Sequence, residues 1–245
     1  MRYLTKLKNN SDKIIKHFPN SLQNNSKNSS TLSINMSNTQ RNTRTRNRRG
    51  GQTNRVLFPR KKGINYDALK LTDVGKYSIT WRNDAEQIIK KMKKIIGTLS
   101  NKHITDLNGG GGGDTITFGL HFKKVDAIEV DKTTFDILKN NVELFDLPNV
   151  TLHQGDSTKI YNWYTDILYI DPPWGGPNYK LEPILDLFLS HWRIDNYIEH
   201  VLEQPWKPKH IFIKVPFNYN FERFEKFNNV QKFKIGKIFI IHLKV

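Results

Sequence analysis

Between residues 103 and 215, five short apolar runs recur: HITDL (103–107), VDAIEV (125–130), VTLHQ (150–154), DILYI (166–170) and HIFIKV (210–215). Their continuous, non-alternating apolar character predicts strands covered on both faces, the pattern of a parallel sheet sandwiched between helices. Helices are expected in the intervals, near 114–122, 132–145, 181–190 and 195–203. Ahead of the first strand, residues 83–97 place Ala85, Ile88, Ile89, Met92, Ile95 and Ile96 on one helical face. Asn83 and Glu86 suggest a capping box for this helix, and Gly97 a stop. VQKFKI and KIFIIHLKV meet around Gly236 and Lys237, a spacing suited to a tight antiparallel hairpin. The expected fold is therefore α/β and doubly wound, with a mostly parallel seven-stranded sheet closed by a C-terminal antiparallel hairpin.

Composition narrows the function classes. A chain of 245 residues with 37% hydrophobic positions, 14 Phe, 9 Tyr and 5 Trp can build one sizeable core plus a tail, which excludes wholesale disorder. The absence of cysteine excludes disulfides, thiol catalysis and zinc-thiolate sites, and the eight histidines show no metal-site spacing, so no metal is expected. No apolar run approaches the ~18 residues of a membrane span, and no secretory h-region opens the chain. An intracellular protein, nuclear or cytoplasmic and without membrane association, is the expectation.

The formal charge of +16 points to an anionic partner, nucleic acid first. Its location changes that picture. Residues 1–62 carry 15 Lys and Arg against one acid, Asp12, whereas residues 63–245 carry 24 bases and 22 acids. Residues 9–54 are dominated by Asn, Ser, Thr and Arg and hold too little apolar surface to offset their ordering entropy. RNTRTRNRRGG (41–51) reads as a phosphate-binding arm or nuclear-import signal, with a compositionally biased linker as the alternative. Leu4, Leu7, Ile14, Ile15 and Phe18 among basic residues also allow a mitochondrial presequence.

Candidate chemistry sits where strands give way to loops. DLNGGGGGD (106–114) follows the first strand and opens a helix, so its glycines allow close backbone approach to a ligand at a helix N-terminus. The loop lacks the Lys-Ser/Thr ending of a phosphate loop, and Asp106 and Asp114 would repel phosphate. An acidic rim suits an amine beside a positively charged sulfur, as in the methionyl end of S-adenosylmethionine. Glu129 ends the second strand where doubly wound folds place an acid on ribose hydroxyls; Asp131 is a second candidate, or the next helix's N-cap. Asp156 stands where an acid could meet an adenine amino group, or is an ordinary turn residue.

The fourth strand ends in DPPWGGPNY (171–179). A carboxylate beside a rigid prolyl carbonyl offers two acceptors for the two hydrogens of an exocyclic amine. Trp174 supplies a stacking surface, and Gly175 and Gly176 leave room beside it.

Taken together, DLNGGGGGDTITF and DPPWGGPNY resemble the trimethylguanosine synthases, cap-specific guanine-N2 methyltransferases whose motifs read roughly DxFCGxGGNTIxF and SPPWGGPxY. LFPRKKGI (57–64) and YSIT (77–80) are a weaker upstream echo. The resemblance implies a class I methyltransferase using S-adenosylmethionine, with capped RNA as substrate, acting as a monomer. Residues 1–55 would be the basic arm on RNA phosphates, 56–98 an extension closing over the cofactor, and 99–245 the catalytic domain. Cofactor contacts would come from Asp106, Gly110, Gly112, Gly113, Glu129, Asp131, Asp156, Ser78 and Thr80. Asp171 and Pro172 would hold the target amine, with Pro173, Trp174 and Tyr179 around the base. Asp171 stands where the family has Ser, Asp114 for its Asn, Asn108 for its Phe and Trp81 for its Pro. An Asp at the first of these positions is typical of adenine-N6 and rRNA guanine-N2 methyltransferases. An rRNA, tRNA or DNA amino methyltransferase is thus one alternative, and an inactive RNA-binding subunit another.

Overall fold

The computed structural model describes residues 50–245, with side chains from Asn54 onward. The basic stretch up to residue 49, the presequence reading included, lies outside the described residues. The strands in chain order are β1 (His103–Asp106), β2 (Lys124–Glu129), β3 (Val150–Gln154), β4 (Ile167–Ile170), β5 (Phe188–Leu189), β6 (Trp192–Arg193), β7 (His210–Val215), β8 (Val230–Ile235) and β9 (Ile238–Lys244). The helices are α1 (Gly50–Leu57), α2 (Asp73–Ser78), α3 (Arg82–Ile96), α4 (Gly113–Gly119), α5 (Lys132–Leu144), α6 (Ser157–Ile160) and α7 (Ile194–Leu202).

Seven strands form one sheet in the order β3-β2-β1-β4-β7-β9-β8, while β5 and β6 pair separately. The first five are parallel, and β9 returns antiparallel between β7 and β8. Gly236, at a φ of 56°, makes the expected hairpin turn. The central strand β4 shows why the runs are continuous rather than alternating. Its Leu168 and Ile170 pack with Ile194, Tyr197, Ile198 and Val201 of α7, and its Ile167 and Tyr169 pack with Ile88, Met92 and Phe118 on the opposite face. A third cluster joins Leu57, Phe58, Tyr66 and Leu69, all ahead of α2, to Leu138, Val142 and Phe145 of the α5 region. Among the described residues no helix is long and apolar enough to cross a membrane.

Three local expectations are corrected. Residues 181–190 are not a helix: a 3-10 turn spans Pro177–Leu181, and an extended stretch leads into the β5–β6 hairpin. Pro183 lacks an N–H and bars Glu182 from helical geometry. The backbone is paired by Asn218, whose carbonyl accepts from Leu185 N at 2.8 Å and whose Nδ2 donates to the Tyr179 and Glu182 carbonyls. The capping box at Asn83 does not form either. The helix starts one residue earlier, and the Trp81 carbonyl accepts from Asp84 N and Ala85 N. Finally, α1 crosses the expected arm boundary at residue 55, and Asn54 Nδ2 donates to the Tyr66 and Leu69 carbonyls at 3.0 Å each.

Candidate active site

The strand order reverses between β1 and β4, so the loops leaving their carboxyl ends diverge and open a crevice there. One wall is the glycine loop. Gly109 N donates to the Ile128 carbonyl at 2.8 Å, tying the loop to β2, and Gly112 caps α4 in the left-handed region at a φ of 94°. Close approach by the segment ahead of α3 explains two further glycines. A Cβ on Gly111 would lie 2.5 Å from Leu71 Cδ2, and one on Gly113 would lie 2.6 Å from Ile79 Cγ1. The contact is locked by Asn141 of α5, which is fully buried. Its Oδ1 accepts from Lys70 N at 2.9 Å, and its Nδ2 donates to the Lys70 and Gly111 carbonyls at 2.8 Å each. Sequence reasoning passed over Asn141, since an Asn in a helix carries no signal by itself.

The acids divide by environment. Asp106 is fully buried beneath the loop, where its oxygens accept from Thr115 Oγ1 at 2.7 Å and Asn108 N at 3.2 Å. Burial pushes its carboxyl up to about 7, against the pull of the Thr115 hydrogen bond. Glu129 bridges loop and strand, accepting from Gly110 N and Asp131 N at 2.9 Å each. Asp131 is the N-cap of α5, accepting from Thr134 N at 2.8 Å, and Asp156 caps α6 through Thr158 N at 3.0 Å. Asp156 Oδ2 also accepts from Ser190 Oγ at 2.8 Å, which joins the β5–β6 turn to this end of the sheet.

The other wall is the Asp171 loop, and here the structure reveals the second residue that sequence reasoning missed. Ile170 pairs with Ile213 in register, so Asp171 and Lys214 follow side by side at the carboxyl ends of β4 and β7. The Lys214 ammonium pairs with Asp171, donates to Thr80 Oγ1 at 2.5 Å and lies 3.7 Å from Asp114 Oδ2. Thr80 in turn donates to Asp114 Oδ2 at 2.5 Å. Lys214 is only 4% exposed, against 21% for Asp171. Burial opposes its charge, yet Asp171 and Asp114 outweigh that and leave the ammonium pKa raised. Burial pushes Asp171 up to about 6, with Lys214 pulling the other way. A signal was available: HIFIKV carries one lysine inside a run read as covered on both faces, and such a lysine requires a partner.

Trp174 lies above this network. Its ring centroid is 5.7 Å from Lys214 Nζ and 5.2 Å from the Tyr179 ring, which meets it edge-on at 81°. The Trp174 ring packs partly on the α7-side core, with Pro172 buried and Pro173 exposed next to it. A Cβ on Gly175 or Gly176 would meet nothing within 4 Å, so the space beside the ring is open. Ser78 is exposed at the end of α2, whereas Thr80 is drawn inside by the ion network. The buried oxygens Asn108 Oδ1 and Asp114 Oδ1, at the two ends of the glycine loop, have no hydrogen-bond donor among the described residues. Acceptors left without donors fit a cationic, N–H-bearing ligand and oppose a phosphate.

A family model described as RNA cap guanine-N2 methyltransferase matches residues 101–243. An uncharacterized protein of Acanthamoeba polyphaga mimivirus is 32% identical over 162 residues, covering 63% of this chain and 60% of that protein. The trimethylguanosine synthase of Schizosaccharomyces pombe is 31% identical over 119 residues, covering 45% of this chain and 48% of its own. The chain therefore spans about half to three fifths of the curated relatives' lengths. Among solved structures, a 16S rRNA N2 methyltransferase from T. thermophilus, in complex with AdoMet and guanosine, superposes with a TM-score of 0.51. It is 17% identical, with 66% of this chain and 42% of that one covered, which establishes a class I methyltransferase fold.

Two outcomes follow from the buried charges. Because Asp106 has an ordinary pKa of 3.8 when unfolded and about 7 when folded, the native state holds a proton that the unfolded chain has released across that window. Its contribution to stability therefore falls as pH rises from about 4 to 7 and levels off above. Asp106→Asn should flatten the slope and stabilise the protein at pH 8 by about 2–4 kcal/mol in urea titrations; an unchanged slope would contradict the burial argument. Lys214→Met should cost about 3–5 kcal/mol by leaving the half-buried Asp171 and the buried Asp114 without a counter-ion. Adding Asp171→Ser should recover at least about 1 kcal/mol relative to additivity, and strictly additive losses would show that the pair is not coupled.

Proposed function

The chain belongs to the RNA cap guanine-N2 methyltransferase family, and from that membership we propose that it methylates the N2 amino group of 7-methylguanosine RNA caps with S-adenosylmethionine as donor. The observation that carries the reading is the crevice at the β1/β4 reversal. It sets donor-seeking acceptors of the glycine loop opposite Asp171, Pro172 and Trp174. When bound, S-adenosylmethionine supplies a methyl group already activated on a sulfonium.

Under this proposal Gly110, Gly112, Gly113, Asn108 and Asp114 receive the methionyl end, while Asp106 fixes the loop from below. Glu129 keeps lone pairs for ribose hydroxyls beyond the two backbone donors it already accepts, since a carboxylate offers about four sites. Asp131 flanks it, Asp156 lies toward the adenine, and Ser78 and Thr80 belong to the stretch that covers the cofactor. The chain's chemical contribution is alignment and exclusion of water. Guanine N2 is a weak nucleophile because its lone pair is delocalised into the ring. Asp171 and the Pro172 carbonyl act as acceptors for its hydrogens and stabilise the positive charge that develops there. Lys214 keeps Asp171 available as a carboxylate, countering the burial that pushes it toward about 6. Trp174 stacks on the base, Pro173 and Tyr179 border it, and the basic segment ahead of α1 holds RNA phosphates.

One observation favours a second reading. With the Lys214 ammonium 5.7 Å from the Trp174 centroid, the ring already carries a cation, which suits a neutral guanine in a longer RNA better than a cationic cap base. Methyl transfer to a 7-methylguanosine cap dinucleotide, compared with an uncapped RNA, separates the two. Turnover of the dinucleotide supports the cap, and turnover of uncapped RNA alone supports the second reading. Binding of RNA without binding of S-adenosylmethionine would support neither and indicate an inactive RNA-binding subunit. Trp174→Ala should weaken cap binding by roughly 5- to 150-fold, the equivalent of about 1–3 kcal/mol of stacking. Calorimetric affinity for S-adenosylmethionine should stay within about twofold; equal loss of both ligands would assign Trp174 to the core instead.

A further inference from the structure

Beside the crevice, α1, the segment after it and the start of α3 frame an open pocket of about 480 Å³ lined by Arg55, Arg60, Lys61, Lys62 and Arg82 around the buried ring of Tyr66. Among the described residues no carboxylate lines it. Its walls are set by neutral groups. The Tyr66 hydroxyl donates to the Pro59 carbonyl at 2.8 Å and accepts from Lys61 N at 3.0 Å. The Arg55 guanidinium lies 4.9 Å over the Tyr66 ring, and Arg82 Nη1 donates to the Arg55 carbonyl at 2.7 Å. Lys61 Nζ is held by the carbonyls of Phe145 and Asp146, just past the C-terminus of α5. Carbonyl and ring partners orient these bases without cancelling their charge. Among the described residues the acid paired with the cavity is Glu86, 3.8 Å from Arg82.

We propose that this cavity is a phosphate-binding subsite for the backbone of the RNA strand attached to the nucleotide being methylated. The proposal rests on the RNA substrate inferred above and adds the route its strand takes. Arg82 is two residues from Thr80, which bonds to the Lys214–Asp114 network, so cavity and crevice are joined by at most about 7 Å of chain. The crevice holds acceptors without donors, Asn108 Oδ1 and Asp114 Oδ1, which disfavour phosphates, while on the adjoining wall Arg82 pairs with Glu86 and Arg55, Arg60, Lys61 and Lys62 have no carboxylate partner among the described residues. A strand whose terminal base enters the crevice is therefore drawn along that wall. The basic run continues upstream in sequence through Arg49, Arg48, Arg46, Arg44 and Arg41, which suits an extended polyanion more than a single free phosphate.

The test uses the full chain and the double variant Arg60→Gln/Lys62→Gln, two exposed residues outside the crevice. Fluorescence anisotropy with a capped RNA of about 12 nucleotides should show dissociation constants at least tenfold weaker. The slope of log affinity against log salt should shrink by about 1.4, the loss of two single-strand phosphate contacts. Turnover of a cap dinucleotide should stay within about twofold. Charge reversal, Arg60→Glu/Lys62→Glu, should deepen the RNA effect while thermal unfolding stays unchanged. Unchanged RNA affinity in both variants would overturn the proposal. So would displacement of the RNA by low-millimolar inorganic phosphate at constant ionic strength, which would mark a small-anion site. The anisotropy readout needs no turnover, so failure of the methylation reading would appear in the dinucleotide assay alone.

Discussion

An ammonium group inside the protein, held between two carboxylates, is the constraint on which the rest of this structure depends. Lys214 is almost wholly buried, and removing a charge of this kind from water costs several kcal/mol unless partners surround it. Its partners come from three separate segments: Asp171 from the end of β4, Asp114 from the first turn of α4, and Thr80 from the stretch entering α3. β4 and β7 must therefore be neighbours in register, α4 must begin where the glycine loop places it, and the segment before α3 must lie across that loop.

The network also sets the electrostatics of the crevice. Asp106 and Asp171 are pushed up to about 7 and about 6 by burial, so the crevice can hold carboxyl groups close to their titration range without a large net negative charge. Phosphates are unwelcome there, because the buried acceptors Asn108 Oδ1 and Asp114 Oδ1 lack donors among the described residues. Of the formal +16, most belongs to the first 62 residues, and the part of that stretch the structure describes frames a basic cavity beside the crevice. Acidic groups at the carboxyl ends of the central strands thus stand beside a basic border.

The strands were legible in the sequence because burial on both sheet faces forces continuous apolar runs, and β1 to β4 and β7 all fall within a residue or so of those runs. The hairpin was legible through Gly236, and the α5 cap through Asp131. What could not be read depends on partners distant in sequence. Residues 181–190 have enough Leu and Ile to suggest a helix, but their backbone is satisfied by Asn218 more than 25 residues on. Asn141 shows no local pattern, because the bonds that lock the loop reach Lys70 and Gly111, distant in sequence. Lys214 was visible as an anomaly in an apolar strand, though its meaning emerges only beside Asp171.

We propose that this crevice delivers a methyl group to the exocyclic amine of a cap guanine. The most direct measurement is to incubate the protein with capped RNA and isotopically labelled S-adenosylmethionine, digest the RNA to nucleosides, and identify the labelled one by mass spectrometry. Label on the N2 position of the cap guanosine is the predicted result. Label on adenine N6, on an internal guanosine, or on no nucleoside while the protein remains folded would contradict it.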